Sequence, residues 1–188
     1  MHAEPTTGGG AGVTSAPPLP SPERLQDLLF EAARLGRDDM VAALIQAGAQ
    51  LEAEDERGHT ALILASYHGH ESNTALLLSL GARPDGAAGT VGNTALMGVA
   101  FKGYLSIADM LIAAGAEVNR RNRGGQTPLM MAALFARHDM IRLLLASGAD
   151  PALCDGNGDT AADLARSQGN EEVATWLAPA SSASGVSA

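Results

Sequence analysis

The feature that most constrains this chain is a period of about 33 residues running through it. Gly58-His59-Thr60, Gly92-Asn93-Thr94, Gly125-Gln126-Thr127 and Gly158-Asp159-Thr160 recur at spacings of 34, 33 and 33 residues. A second landmark, Gly48-Ala49, Gly81-Ala82, Gly115-Ala116 and Gly148-Ala149, recurs at 33, 34 and 33. Both series register the same one-residue insertion between the second and third units. A fixed period of this length predicts stacked supersecondary units, each burying a face against its neighbour because it cannot bury that face alone.

Within a unit the residues describe two short helices. Each Thr of the first landmark precedes an apolar segment, as in Thr60-Ala-Leu-Ile-Leu-Ala and Thr127-Pro-Leu-Met-Met-Ala-Ala. There its hydroxyl can accept from the orphan N–H groups of a helix start, and Pro128 suits the first helical position. A break follows at Gly36, Gly69, Gly103 and Gly169, with Ala136 as the exception. A second apolar helix comes next, such as Met140-Ile-Arg-Leu-Leu-Leu-Ala, and Gly148 and its equivalents end it at a position that favours positive φ. Helices of two or three turns do not persist alone in water, so stacking must stabilise them.

The series Gly-x-Thr-Pro-Leu, Ala-Ala, Leu-Leu-Leu and Gly-Ala-Asp between Gly125 and Asp150 resembles the ankyrin repeat, and the likeness extends from about Leu25 to Leu177. It implies an all-α solenoid of about five helix-turn-helix units joined by β-hairpin-like fingers. We place the repeat domain at residues 22–178, with units near 22–56, 57–89, 90–123, 124–156 and 157–178, and flexible tails at 1–21 and 179–188. The family's usual His after Pro-Leu is replaced by Ile63, Met97 and Met130, so its hydrogen bonding at the helix start is expected to be lost. Leu25, Leu28, Leu29 and Ala32 predict an N-terminal capping helix behind Ser21-Pro22-Glu23, and Glu171-Glu172 gives the last unit the polar outer face of a terminal repeat. Asn73-Thr74 stands where sibling units have apolar pairs, so either Asn73 finds backbone partners within the stack, the favoured reading since buried amides are usually satisfied, or this unit is locally weak. The finger Asp85 to Val91, with the inserted residue and two glycines, is expected to be the most mobile.

Composition narrows the function. Hydrophobic residues make up 46% of the 188, enough for a core. No apolar run is long enough for a membrane span, and the start lacks a signal-peptide pattern. A net charge of −9 opposes phosphate backbones and so argues against nucleic acid. The single Cys154 cannot form an intrachain disulfide and reads as an inert thiol beside Asp155 in a reducing cytoplasm. Eleven arginines against the one lysine, Lys102, with abundant Ala and Gly, point to a GC-rich genome of bacterial type.

No convergent nucleophile, base and stabiliser is visible, and no cofactor is expected. His70 reads as a turn and packing histidine, since neither an HExxH pair nor a Cys cluster accompanies it. The acidic run Glu52 to Glu56 reads as a solvated finger without the ligand spacing of a calcium loop. A metal-dependent enzyme using His59, His68 and these acids is the weaker alternative.

The expected function is therefore a monomeric scaffold that binds another protein, whose identity the sequence leaves open, or in a narrower form regulates or inhibits an enzyme by binding it. The ankyrin resemblance implies a concave groove lined by finger tips and first-helix ends, so its row would read Arg34-Leu35, Tyr67-His68, Phe101-Lys102 and Leu134-Phe135. Three of the six aromatic residues fall in that row, and aromatics concentrate at interface centres. His59 on the first full finger, and Arg120, Arg121 and Arg123 on the third, complete the expected partner-binding set, the arginines as steering charges.

Overall fold

A computed structural model describes residues 20–86 and 92–178. The predicted tails, apart from Pro20 and Ser21, and residues 87–91 of the second finger lie outside the described residues. Ten α-helices fill the described residues as five antiparallel pairs: α1 (Pro22–Leu35) with α2 (Asp38–Gln46), α3 (Ala61–Tyr67) with α4 (Glu71–Ser79), α5 (Ala95–Lys102) with α6 (Leu105–Ala113), α7 (Pro128–Leu134) with α8 (His138–Ala146), and α9 (Ala161–Ser167) with α10 (Glu171–Leu177).

The landmarks act as the periodicity predicts. The hydroxyls of Thr60, Thr94, Thr127 and Thr160 accept from the N–H groups of Ile63, Met97, Met130 and Asp163 at 3.3, 3.3, 3.4 and 3.2 Å. Each cap removes one orphan donor from a helix start. The His bonding that the departure from Pro-Leu-His is expected to forfeit is partly replaced: Thr127 N–H donates to the Met130 Sδ at 3.4 Å, and Thr160 N–H to the Asp163 carboxylate at 3.1 Å. Glycines 36, 69, 103 and 169 all take positive φ, and Ala136 at φ 47° holds the same turn with a side chain present.

The first helices form one layer and the second helices another. Neighbours within the first layer pack more extensively than neighbours within the second. Buried Ala32, Ala65, Ala100, Ala132 and Ala165 let the inner backbones approach closely. The outer helices splay, and the array curves towards the inner layer and the fingers. The core is two rows of fully buried leucines running through the stack: Leu29, Leu62, Leu96 and Leu129 from the first helices, with Leu77, Leu111 and Leu144 from the second. Burying such a side chain contributes roughly 1.5–3 kcal/mol, which a single unit could not obtain.

Polar staples sew the units together at two levels. Between helices, the His70 Nε2 lies 2.8 Å from the Arg34 carbonyl, Arg137 Nε donates to the Phe101 carbonyl at 3.2 Å, and Asn170 Nδ2 to the Leu134 carbonyl at 3.5 Å. At the base of the fingers, the N–H groups of Arg83, Glu117 and Asp150 donate to the side chains of Glu52, Asp85 and Asn119 of the preceding unit, at 2.8, 2.9 and 2.9 Å.

The second unit corrects one expectation. Asn73 is fully buried, but its partner is a side chain: Nδ2 donates to Asp38 Oδ1 at 2.9 Å, and Ser72 donates to the same carboxylate. Among the described residues, the Asn73 Oδ1 and the hydroxyl of fully buried Thr74 have no hydrogen-bond partner. At the last unit Glu171, Glu172 and Trp176 face outward, and the Arg142 guanidinium lies 5.5 Å from the Trp176 ring.

Candidate protein-binding groove

The concave surface is built by the fingers and the exposed side of the inner helices. The first, third and fourth fingers each bend around one side chain. The Asp55 carboxylate accepts from the N–H groups of Arg57 and His59, both at 2.9 Å; Asn122 Oδ1 accepts from Gly124 and Gln126, both at 2.9 Å; Asp155 accepts from Asn157 and Asp159 at 2.8 and 3.1 Å. These are Asx turns, in which the side chain mimics a backbone turn. The hairpin-like character reduces, among the described residues, to these turns and a single antiparallel bridge between Cys154 and Thr160.

Asp55 also ties the first finger to the capping helix, accepting from Arg34 Nη2 at 2.8 Å, with His59 Nδ1 3.5 Å away. Burial pushes the Asp55 carboxyl up, but the N–H groups of His59 and Arg57, the His59 ring and the Arg34 guanidinium together hold it below the ordinary carboxylate value.

At the C-terminal ends of the inner helices the predicted row converges. The Tyr67 and Phe101 rings stack with centroids 6.3 Å apart, and Phe101 meets Phe135 edge-on at 4.5 Å. The Lys102 ammonium stands 4.6 Å from the Tyr67 centroid and 5.6 Å from that of Phe101, within cation–π range. Tyr67 and Phe135 keep 38% and 47% of their surface exposed, so the cluster is not sealed into the stack. His68 packs edge-on to Tyr67 at 5.6 Å and stacks on His70 at 6.2 Å. Its own burial, then the charges of His70, Lys102 and Arg34, hold the His68 imidazole below its usual value. Leu134 is half-buried beside Phe135, with its carbonyl engaged by Asn170.

The three arginines of the third finger separate by role. Arg120 pairs with Glu117 at 3.2 Å. Arg121 donates to the carbonyls of Gly125 and Cys154 and so clasps the third finger to the fourth, beside a Gly156 N–H to Gly124 carbonyl bond of 2.7 Å. That gives Arg121 a structural contact where the sequence predicts a steering charge. Arg123 is exposed and shares a depression with His59, Arg57 and Asn93.

The groove floor is not among the residues expected from the sequence. A depression of about 360 Å³ is lined by Ile63, Leu64, Tyr67, Met97, Gly98, Phe101 and Met131, with Arg57, His59 and Asn93 at its finger end. Aligning the units would have exposed it, because Gly98 stands where the neighbours have Leu64, Met131 and Leu164. Among the described residues no group of three or more His, Cys, Asp or Glu gathers as a metal site, and no helix is long and apolar enough to cross a membrane.

A curved stack of capped helical hairpins with an open groove is the architecture of a helical-repeat solenoid. The family model for ankyrin repeats (3 copies) matches residues 28–122 and 96–186, and the chain belongs to the ankyrin repeat family. The chain is 34% identical over 144 residues to a putative ankyrin repeat protein, YahD, of Escherichia coli (strain K12), covering 73% of this chain and 71% of that one. It is 36% identical over 131 residues to a putative ankyrin repeat-containing protein of Treponema pallidum (strain Nichols), covering 70% of this chain and 44% of that protein. It is also 36% identical over 101 residues to the human ankyrin repeat domain-containing protein 63, covering 52% of this chain and 26% of the human one. The matched region is thus under half the length of the last two relatives. Members of this family generally act as non-enzymatic protein–protein interaction modules.

Proposed function

We propose that this chain works as a monomeric, cytoplasmic, non-catalytic module that docks a partner protein in its concave groove. The observation that carries the reading is the linked cluster Tyr67, Phe101 and Phe135, joined ring to ring, part-exposed and flanked by Lys102. Rings of this kind bury large area at small entropic cost, and a desolvated centre of one or two aromatics dominates many interfaces. His68, Leu134 and His59 extend the surface, and Arg123, with Arg120 beside it, gives the third finger a positive edge that would orient an approaching partner. A footprint of about 800 Å² per side suits such a surface. Where the partner is an enzyme, occupation of its surface is itself the regulatory output.

The test is capture from native lysate by the wild type and by a Phe101→Ala, Phe135→Ala double variant, with circular dichroism confirming the fold of both. Loss of the captured protein in the variant supports the groove. Equal capture removes it.

A further inference from the structure

The middle of the groove carries a feature that the aromatic cluster alone does not explain. Along the concave side of the inner helices, successive units present Glu31, Leu64, Gly98, Met131 and Leu164 at the same repeat position. Gly98 therefore leaves a notch between two bulky neighbours, in mid-helix, where glycine costs about 1 kcal/mol relative to alanine. No positive φ requires it. The residues lining the notch around Gly98 are apolar: Leu64 and Tyr67 from α3, Met97 and Phe101 from α5 itself, and Met131 from α7. A Cβ placed on Gly98 would sit 3.3 Å from Tyr67 Cδ2, so the Tyr67 ring covers part of the bare helix backbone and the open part of the notch is the depression beside that ring.

The charge around the notch is as distinctive as its shape. No carboxylate among the described residues lines this depression itself, whereas the adjoining depression that shares Arg57, His59, Leu64 and Tyr67 carries Glu23, Asp27, Glu31, Glu54, Asp55 and Glu56, so the acid-free stretch is local to the Gly98 side of the groove. Arg57 and His59 stand at its finger end, and Lys102 leans over the Tyr67 ring at the other. Neither Arg57 nor Lys102 forms an ion pair among the described residues, although eight such contacts engage other basic groups of the chain. Burial first, and then the charges of His70 and Lys102, hold the His68 imidazole beside Tyr67 towards its neutral form. Cations with no carboxylate of their own chain can pair with an arriving carboxylate without an existing ion pair being broken, and such complementarity orients a partner and speeds its encounter.

We propose that the Gly98 notch receives an aromatic or long aliphatic side chain from an acidic segment of a partner protein, whose neighbouring carboxylates pair with Arg57 and Lys102. This rests on the groove reading above and deepens it to a partner chemistry. The notch fixes the register of the bound segment, and the two cations at its ends select for acid on either side of the anchoring residue.

A random-peptide library displayed on phage and selected on the full chain tests this, with synthetic versions of the enriched peptides measured by fluorescence anisotropy. The enriched sequences should share an aromatic or long aliphatic residue with Asp or Glu within three positions. Gly98→Met, which fills the notch with the side chain already present at position 131, and Arg57→Glu, an exposed change in the finger, should each weaken binding by about tenfold or more. Raising the salt should weaken it further. Enrichment of peptides without acidic residues, no enrichment at all, or affinity unchanged in both variants overturns the proposal. Peptides that lose affinity with Phe101→Ala and Phe135→Ala but bind Gly98→Met normally overturn the notch and leave the groove standing. Equal lysate capture by that double variant is the separate result that removes the groove.

Discussion

The His70 Nε2 lies 2.8 Å from the carbonyl oxygen of Arg34, across the seam between the first and second units. The same seam position is held by Arg137 to Phe101 and Asn170 to Leu134, while the Tyr104 ring packs on Gly69. Each staple ends on the residue whose side chain belongs to the groove row, so the bonds that hold the stack also fix where that row points.

His70→Ala is therefore expected to destabilise the chain by about 1–2 kcal/mol, since the Arg34 carbonyl loses its partner and the packing over Gly36 is emptied. His70→Asn, which copies the amide that Asn170 brings to the equivalent seam, should recover part of that loss. Chemical denaturation of the three proteins checks the order.

The buried polar pair of the second unit makes the opposite prediction. Thr74 is fully buried with an unsatisfied hydroxyl, where the siblings carry Val41, Ala108 and Ile141. Thr74→Val keeps the shape and removes the unmade hydrogen bond, and should stabilise by about 1 kcal/mol, raising the melting temperature by roughly 2–4 °C. Asn73→Leu should gain less, because it also strips Asp38 of a donor. Thermal melts decide between gain and loss.

Acid sensitivity follows from the first finger. The Asp55 carboxyl is held below its unfolded value, which is about 3.9. A depressed folded value means that its contribution is full above the unfolded value and is lost as pH falls through the folded one. Asp163 is shifted in the same direction, first by the Thr160 hydroxyl and N–H and then, against desolvation, by Arg166. Stability should be level down to about pH 5 and then decline. Asp55→Asn should blunt the decline and keep the turn, because Asn122 makes the same turn in the third finger. Asp55→Ala should cost about 1–2 kcal/mol at neutral pH. Urea midpoints across acidic pH test both.

Much of this architecture is legible in the sequence because it repeats. The Thr caps, the turn glycines and the leucine rows each occur in register several times, so local chemistry and period agree. The aromatic row is legible for the same reason: Tyr67, Phe101 and Leu134 share a repeat position. What escapes a reading of the sequence is set by single departures from the pattern and by contacts between units. Gly98 is one small residue in an apolar helix, and its part in the groove becomes visible only with Leu64 and Met131 beside it in space. Arg121 reads as a free charge until the fourth finger supplies the Cys154 carbonyl. Asn73 points to backbone partners because Asp38, which it meets, lies 35 residues away and a full repeat earlier.

In the proposed function the groove, and not the layer of outer helices, holds the partner. Hydrogen–deuterium exchange of the chain alone and with its captured partner measures this most directly. Added protection is expected in the inner helices α3, α5 and α7 and in the finger segment 55–60, with α4, α6 and α8 unchanged. Protection confined to α4, α6 and α8 would contradict it.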